Sequence, residues 1–206
     1  MKHLLSCSLL LLSVGCGVSP RKPPVSLAVR NALTAADYPD ILGEWTRNER
    51  IYNNVGSVLF VNATLLSPEV AEAAKIRGVS VWGPGGETVD DVSQKPKTPP
   101  PGGPEFFFSA STAVTRWNDF GNHDSIWRVT LENESGVRVA GEVTKIKTTA
   151  NVRATYPYVT EFAKTYLVRF PPGAEGGAAI LGLATKSLTL RFTSGLGEAV
   201  LVWDFR

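Results

Sequence analysis

Ser125-Ile126-Trp127-Arg128-Val129-Thr130-Leu131-Glu132-Asn133-Glu134-Ser135-Gly136-Val137 is the stretch that decides the fold. Trp127, Val129 and Leu131 alternate with Arg128, Thr130 and Glu132, which is the period of two of a half-buried strand. Residues 133–136 then read as a tight hairpin turn, because Gly136 can take a positive φ. Residues 137–146 are expected to return as one partner strand.

The same period extends outward from this hairpin. Towards the C-terminus, Phe162, Tyr166, Val168 and Phe170 alternate with Ala163, Thr165, Leu167 and Arg169. Lys164 interrupts the apolar set, as at a strand end. Leu188, Leu190 and Phe192 alternate with Ser187, Thr189 and Arg191; Ser194-Gly195-Leu196-Gly197 turns the chain; Ala199, Leu201, Trp203 and Phe205 close it. Towards the N-terminus, residues 106–110 start a strand, and residues 57–66 form another with Leu59, Val61, Ala63 and Leu65 on one face. Ser67-Pro68-Glu69 opens a helix with a capping hydroxyl, a proline in the first turn and an acid at the positive end of the dipole. Lys75 and Arg77 lie in its last turn, and Gly78 can end it.

Short helices are also expected at residues 28–36 and from residue 40. Trp45 and Tyr52 are expected to pack into the core, as large aromatic side chains usually do. About seven short strands with turn signals between them, and no later alternation with helices, exclude a doubly wound sheet. The expectation is a mainly β fold: an antiparallel two-sheet sandwich, immunoglobulin-like, with one or two short helices near the N-terminal part. The Cys pair of antibody domains is missing, so the inference concerns architecture only. Residues 83–104 form a Gly- and Pro-rich loop. Its Pro99-Pro100-Pro101-Gly102-Gly103-Pro104 run reads as a stiff exposed segment, with docking into an aromatic groove as the alternative.

The chain has 206 residues, 43% of them hydrophobic, which is too apolar for a disordered protein. With 21 Lys plus Arg against 19 Asp plus Glu, its formal charge of +2 leaves no electrostatic footprint for nucleic acid. The first fifteen residues hold Lys2, an apolar run at residues 4–12, and the small residues Ser13 and Gly15 ahead of Cys16. This resembles a bacterial lipoprotein signal, although Ser13 takes the place where such signals usually carry Leu, and Leu12 lies one residue further back. The resemblance implies cleavage before Cys16 and acylation of that cysteine, with simple secretion after Gly15 as the alternative. The apolar run is too short to span a bilayer. The expected organisation is a signal peptide at 1–15, a lipidated Cys16 with a proline-rich tether at 16–24, and a β-sandwich domain with a helical lead-in at 25–206. Gly17 follows the cysteine where an Asp is associated with inner-membrane retention, so the resemblance favours the outer membrane.

The segments Trp45-Thr46-Arg47, residues 58–69, Trp127-Arg128-Val129-Thr130-Leu131, Tyr166-Leu167-Val168-Arg169-Phe170-Pro171 and Leu201-Val202-Trp203 together resemble uncharacterised bacterial envelope lipoproteins. The resemblance spans most of the mature chain. It implies a β-rich, lipid-anchored domain and brings no catalytic residue with it.

Loss of the leader would leave Cys16 and His123 as the chain's one Cys and one His, so neither an internal disulfide nor a Cys/His zinc site is expected. Residues 116–125 concentrate polar and aromatic side chains between two strands. Asp119, Asn122 and Asp124 are oxygen donors, but their spacing is not that of a calcium loop, and no metal or cofactor is expected. His123 has no nucleophile-elbow motif to serve. The candidate carboxylate pairs, Asp90 with Asp91 and Glu132 with Glu134, fall in loops and turns. Neither Gly83-Pro84-Gly85-Gly86 nor residues 173–177 carry the Lys that cradles phosphate. These features point to a non-catalytic binding or scaffolding module held at the membrane by its lipid. Trp117, Asn118, Asp119 and His123 form its candidate binding loop, and an envelope protein or glycan is its expected partner. The alternatives are a glycan or cell-wall hydrolase using a carboxylate pair, and a structural subunit of an envelope complex.

Overall fold

A computed structural model describes residues 21–53, 56–79, 102–175 and 177–206. The leader, Cys16, Gly17, the pair Asp90 and Asp91, and most of the Gly- and Pro-rich loop lie outside the described residues.

Nine strands are described, in two antiparallel sheets. The first sheet contains β1 (Thr46–Asn53), β2 (Gly56–Leu65), β3 (Glu105–Thr112), β7 (Lys164–Arg169) and β6 (Glu142–Ile146), in that spatial order. The second contains β5 (Arg138–Ala140), β4 (Arg128–Asn133), β8 (Ser187–Ser194) and β9 (Gly197–Asp204). The expected two-sheet sandwich is the architecture that forms. Its interior takes the alternate residues that the sequence pattern puts on one face of each strand: Leu59, Val61 and Ala63; Phe106 and Phe108; Leu131; Leu188, Leu190 and Phe192; Leu201 and Trp203, each at most 2% exposed. Edge-on ring contacts at 5.0 Å join the sheets, Phe108 to Phe192 and Phe106 to Trp203.

The other face of the first sheet is covered as well. Helix α1 (Tyr38–Trp45) buries Tyr38, Ile41, Leu42 and Trp45, an i, i+3, i+4, i+7 stripe. Helix α2 (Pro68–Arg77) forms where its caps predict: Ser67 Oγ accepts the Val70 N–H, and Gly78 ends it at φ 77°. A third helix, α3 (Ala150–Thr155), lies outside the N-terminal part and gives no strong periodic signal over its six residues. It delivers Tyr156, which stacks on Phe107 at 3.7 Å, and Tyr158, which shares a hydrogen bond with Thr64.

Four local expectations are corrected. Residues 28–36 form bends and turns instead of a helix, with Ala32 at φ 56°. Tyr52 is 62% exposed because it ends edge strand β1 beyond the core, and Phe162 is 79% exposed because it precedes the first residue of β7. Residues 137–146 are not one strand. The chain changes sheets at Gly141, so β5 pairs with β4 while β6 pairs with β7. Gly141 donates its N–H to Val129 O in the second sheet, and a Cβ on it would lie 2.4 Å from Val168 Cγ2 and 2.7 Å from the Phe170 ring. Glycine is required there by the closeness of approach.

That crossing closes one side of the sandwich, and a seam between β1 and β9 closes the other. Trp203 Nε1 donates to Trp45 O at 2.8 Å, and Arg47 Nε to Val202 O at 2.8 Å. Arg47 is buried with its guanidinium carbon 5.5 Å from the Trp203 ring centre, and desolvation pushes its pKa down to about 10.

Strand direction defines two poles, about 25 Å apart from eight-residue strands at ~3.3 Å per residue. At one pole β1, β3, β6 and β8 end and β2, β4, β7 and β9 begin. At the other, Val25 bridges Phe205 beyond the end of β9, so the chain comes into the sandwich there.

Candidate functional site

The loop between β3 and β4 occupies the first pole. It opens with a 3-10 turn, Thr115–Trp117, and runs to Trp127. Phe120 and Trp127 anchor it: both are buried, their rings stack 5.1 Å apart, and Phe120 also meets Phe108, Tyr166 and Phe192. Burying two such rings supplies the main driving force that holds the loop down.

The four candidate residues divide into three that hold the loop and one that faces solvent. Asn118 is 5% exposed. Its Nδ2 donates to Ala110 O at 2.7 Å, and its Oδ1 accepts from the Tyr166 hydroxyl at 2.9 Å. Its backbone carbonyl accepts from Lys164 Nζ at 2.8 Å and shares the one O–H of the same tyrosine, at 3.0 Å, with Oδ1. Burial drives the Tyr166 pKa well above its ordinary value, and the negative charge of Asp119 adds to the shift. The tyrosine is therefore a permanent donor at neutral pH. Asp119 accepts from Ser125 Oγ at 2.9 Å and from the Ile126 N–H at 3.3 Å, closing the loop on itself. Trp117 is half-buried and its carbonyl accepts from Trp127 Nε1 at 2.6 Å. His123 is exposed, within an exposed run that spans residues 121–124.

The arrangement is a fixed platform with a free crest. Gly121, Asn122, His123 and Asp124 form the crest, and Arg116 lies exposed at the loop's start. Ile126 (42% exposed) and Phe162 add apolar surface at the same pole, and Tyr52 lies on its β1 side. Phe162 was missed as a rim residue because it shares the parity of the core positions of β7; the signal was Lys164, which ends that parity. Ile126 gave no signal of its own.

The crest offers amide, carboxylate and imidazole groups without a charged cluster. Among the described residues no group of three or more His, Cys, Asp or Glu is placed to hold a metal. Asp119, the innermost of the oxygen donors, is already engaged by the loop. Of the carboxylate pairs, Glu132 bonds Arg138 at 2.7 Å and Arg191 at 3.4 Å, while Glu134 accepts the backbone N–H groups of Lys186 and Ser187. Both carboxyls are held below the usual carboxylate range, Glu132 chiefly by its Arg138 bond and Glu134 chiefly by the Lys186 N–H. Both are committed to structure.

No protein-family model matches the chain, and no curated protein matches it. Among solved structures it is weakly similar to a DUF4426 family protein from Pseudomonas aeruginosa PAO1. The identity is 11%, over 76% of this chain and 91% of that one, at a TM-score of 0.27. A likeness at that level carries no argument about what this chain does.

Proposed function

We propose that the chain is a bacterial envelope lipoprotein, attached through Cys16 to the outer membrane, that binds an envelope partner through its loop pole without catalysing a reaction. The observation that carries this reading is polarity. The chain enters the sandwich at one pole, and the loop of Trp117, Asn118, Asp119 and His123 is built at the other. A tether at the entry pole turns the loop pole away from the membrane. The inward bonds of Asn118 and Asp119 give the crest a fixed shape, so that little conformational freedom is lost when a partner binds.

The test joins both halves of the proposal. The full-length gene is expressed in a Gram-negative host, as wild type and as Cys16→Ala, and followed by palmitate labelling and membrane fractionation. Label and membrane association are expected in the wild type alone; a soluble, unlabelled wild type rejects the anchor. Capture under mild detergent then identifies the partner. The variant Asn122→Ala/His123→Ala/Asp124→Ala is expected to keep the wild-type circular dichroism and lose the partner. Undiminished capture removes the crest from the proposal.

A further inference from the structure

We infer that the opposite pole is itself a membrane-contacting surface, which rests on anionic phospholipid headgroups and orients the domain. This inference rests on the lipid-anchor reading of Cys16. Only five residue steps separate Cys16 from Arg21, the first described residue, and at ~3.5 Å per residue they span about 17 Å at most. The pole cannot stand off from the bilayer by more than that.

Its chemistry suits the contact. Arg21 is exposed over 69% of its side chain and pairs with Asp204 at 3.0 Å. Lys186 and Arg206, both exposed, lie beside it: Phe205 donates its N–H to Lys186 O, and Arg206 donates its N–H to Val25 O. Lys22 lies one residue from Arg21, and its Nζ donates to the carbonyls of Gly43 and Thr46 at the C-terminal end of α1. Carboxylates described close to these four cations are engaged: Asp204 pairs with Arg21, Glu134 accepts two backbone N–H groups, and Glu44, beside the Gly43 carbonyl that Lys22 binds, pairs with Arg30.

Three residues before Lys186, in the turn that Gly182 and Thr185 close, stands Leu183 at 104% exposure. It is more exposed than any other large apolar residue described. A fully bared leucine beside basic side chains is the composition of an interfacial contact: the cations face lipid phosphates and the leucine enters the headgroup boundary. An acyl chain and a basic patch also make a stable anchor together more readily than either alone.

Acylated Cys16 leaves no other thiol in the mature chain, so single cysteines can be labelled selectively. Ala184→Cys marks this pole and Asn122→Cys the loop pole; both are exposed positions. The labelled lipoprotein is reconstituted in phosphatidylcholine vesicles, with or without phosphatidylglycerol, that carry a headgroup quencher. With phosphatidylglycerol, quenching at residue 184 is expected to exceed that at residue 122 by roughly fivefold, and to fall in high salt. It is also expected to fall in Arg21→Gln/Arg206→Gln and in Leu183→Ser. Equal quenching at both positions, or no dependence on phosphatidylglycerol, overturns the inference. Mass analysis of the N-terminal peptide tests the anchor separately. If Cys16 carries no lipid, co-sedimentation of the unacylated chain with phosphatidylglycerol vesicles decides the surface. Binding that drops roughly tenfold in the double variant sustains it, and absence of binding overturns it.

Discussion

Asn118 is a polar loop residue that the fold buries, and four hydrogen bonds explain why that is tolerable. Two of them are made by its side chain. Asn118→Ala strips both: Ala110 O loses a buried donor, and the Tyr166 hydroxyl keeps only the backbone carbonyl of residue 118. The expected loss is about 1–3 kcal/mol, the cost of taking away a buried hydrogen-bond partner. Urea unfolding measures it, and faster amide exchange over residues 119–126 should accompany it. His123→Ala, at an exposed position without packing, should change stability by less than about 0.5 kcal/mol. That contrast also marks how far the sequence could be read. A run of Asn, Asp, His and Trp between strands says that a special loop is present. It does not say which side chains point inward, because this depends on carbonyls and hydroxyls contributed by β3 and β7, many residues away. Tyr166 reads as an ordinary core residue in its strand, and only the folded register places its hydroxyl on Asn118.

At the scale of elements, the segments that read correctly are those whose signals are local. The Ser67 cap, Pro68 and Gly78 specify α2 within a dozen residues, and Ser67→Ala is expected to cost about 1 kcal/mol in thermal unfolding. The hairpin at 133–136 is equally local: Gly136 sits at φ 80°, and Asn133 and Val137 join through their backbones. Residues 137–146 misled because a change of sheet leaves the period of two intact. Alternation reports that a strand has an inside; it does not report which of two sheets the strand joins. Gly141 was the visible clue, and its meaning came from Val168 and Phe170, which lie far along the chain. Gly141→Ala should destabilise by about 1–3 kcal/mol, since the new methyl meets the packed side chains of Val168 and Phe170. A full-strength unfolding midpoint in that variant would show that the crossing is looser than its contacts indicate.

For the whole molecule, acid sensitivity follows from Glu132 and Glu134. Each carboxyl titrates below its ordinary value near 4.5 in the folded chain. Their stabilisation is therefore complete above the unfolded value and is lost as pH falls through the lower folded value. Stability measured by urea should be flat near neutrality and decline below about pH 4.5. Glu132→Gln/Glu134→Gln should lower the plateau and shallow the acid limb. An acid limb identical to wild type would assign the decline to other carboxylates.

The seam between β1 and β9 joins Trp45 to Trp203 across 158 residues. The sandwich thus begins and ends at the same side, and its first strand has no cover until the last one arrives. For a chain delivered N-terminus first, whether from a ribosome or through a membrane pore, completion of the core must wait until residue 203 has emerged. Until then the inward face of β2, with Leu59, Val61 and Ala63, lacks the second sheet that covers it. Removal of residues 203–206 should hold the chain permanently at that stage, with no cooperative melting transition in calorimetry.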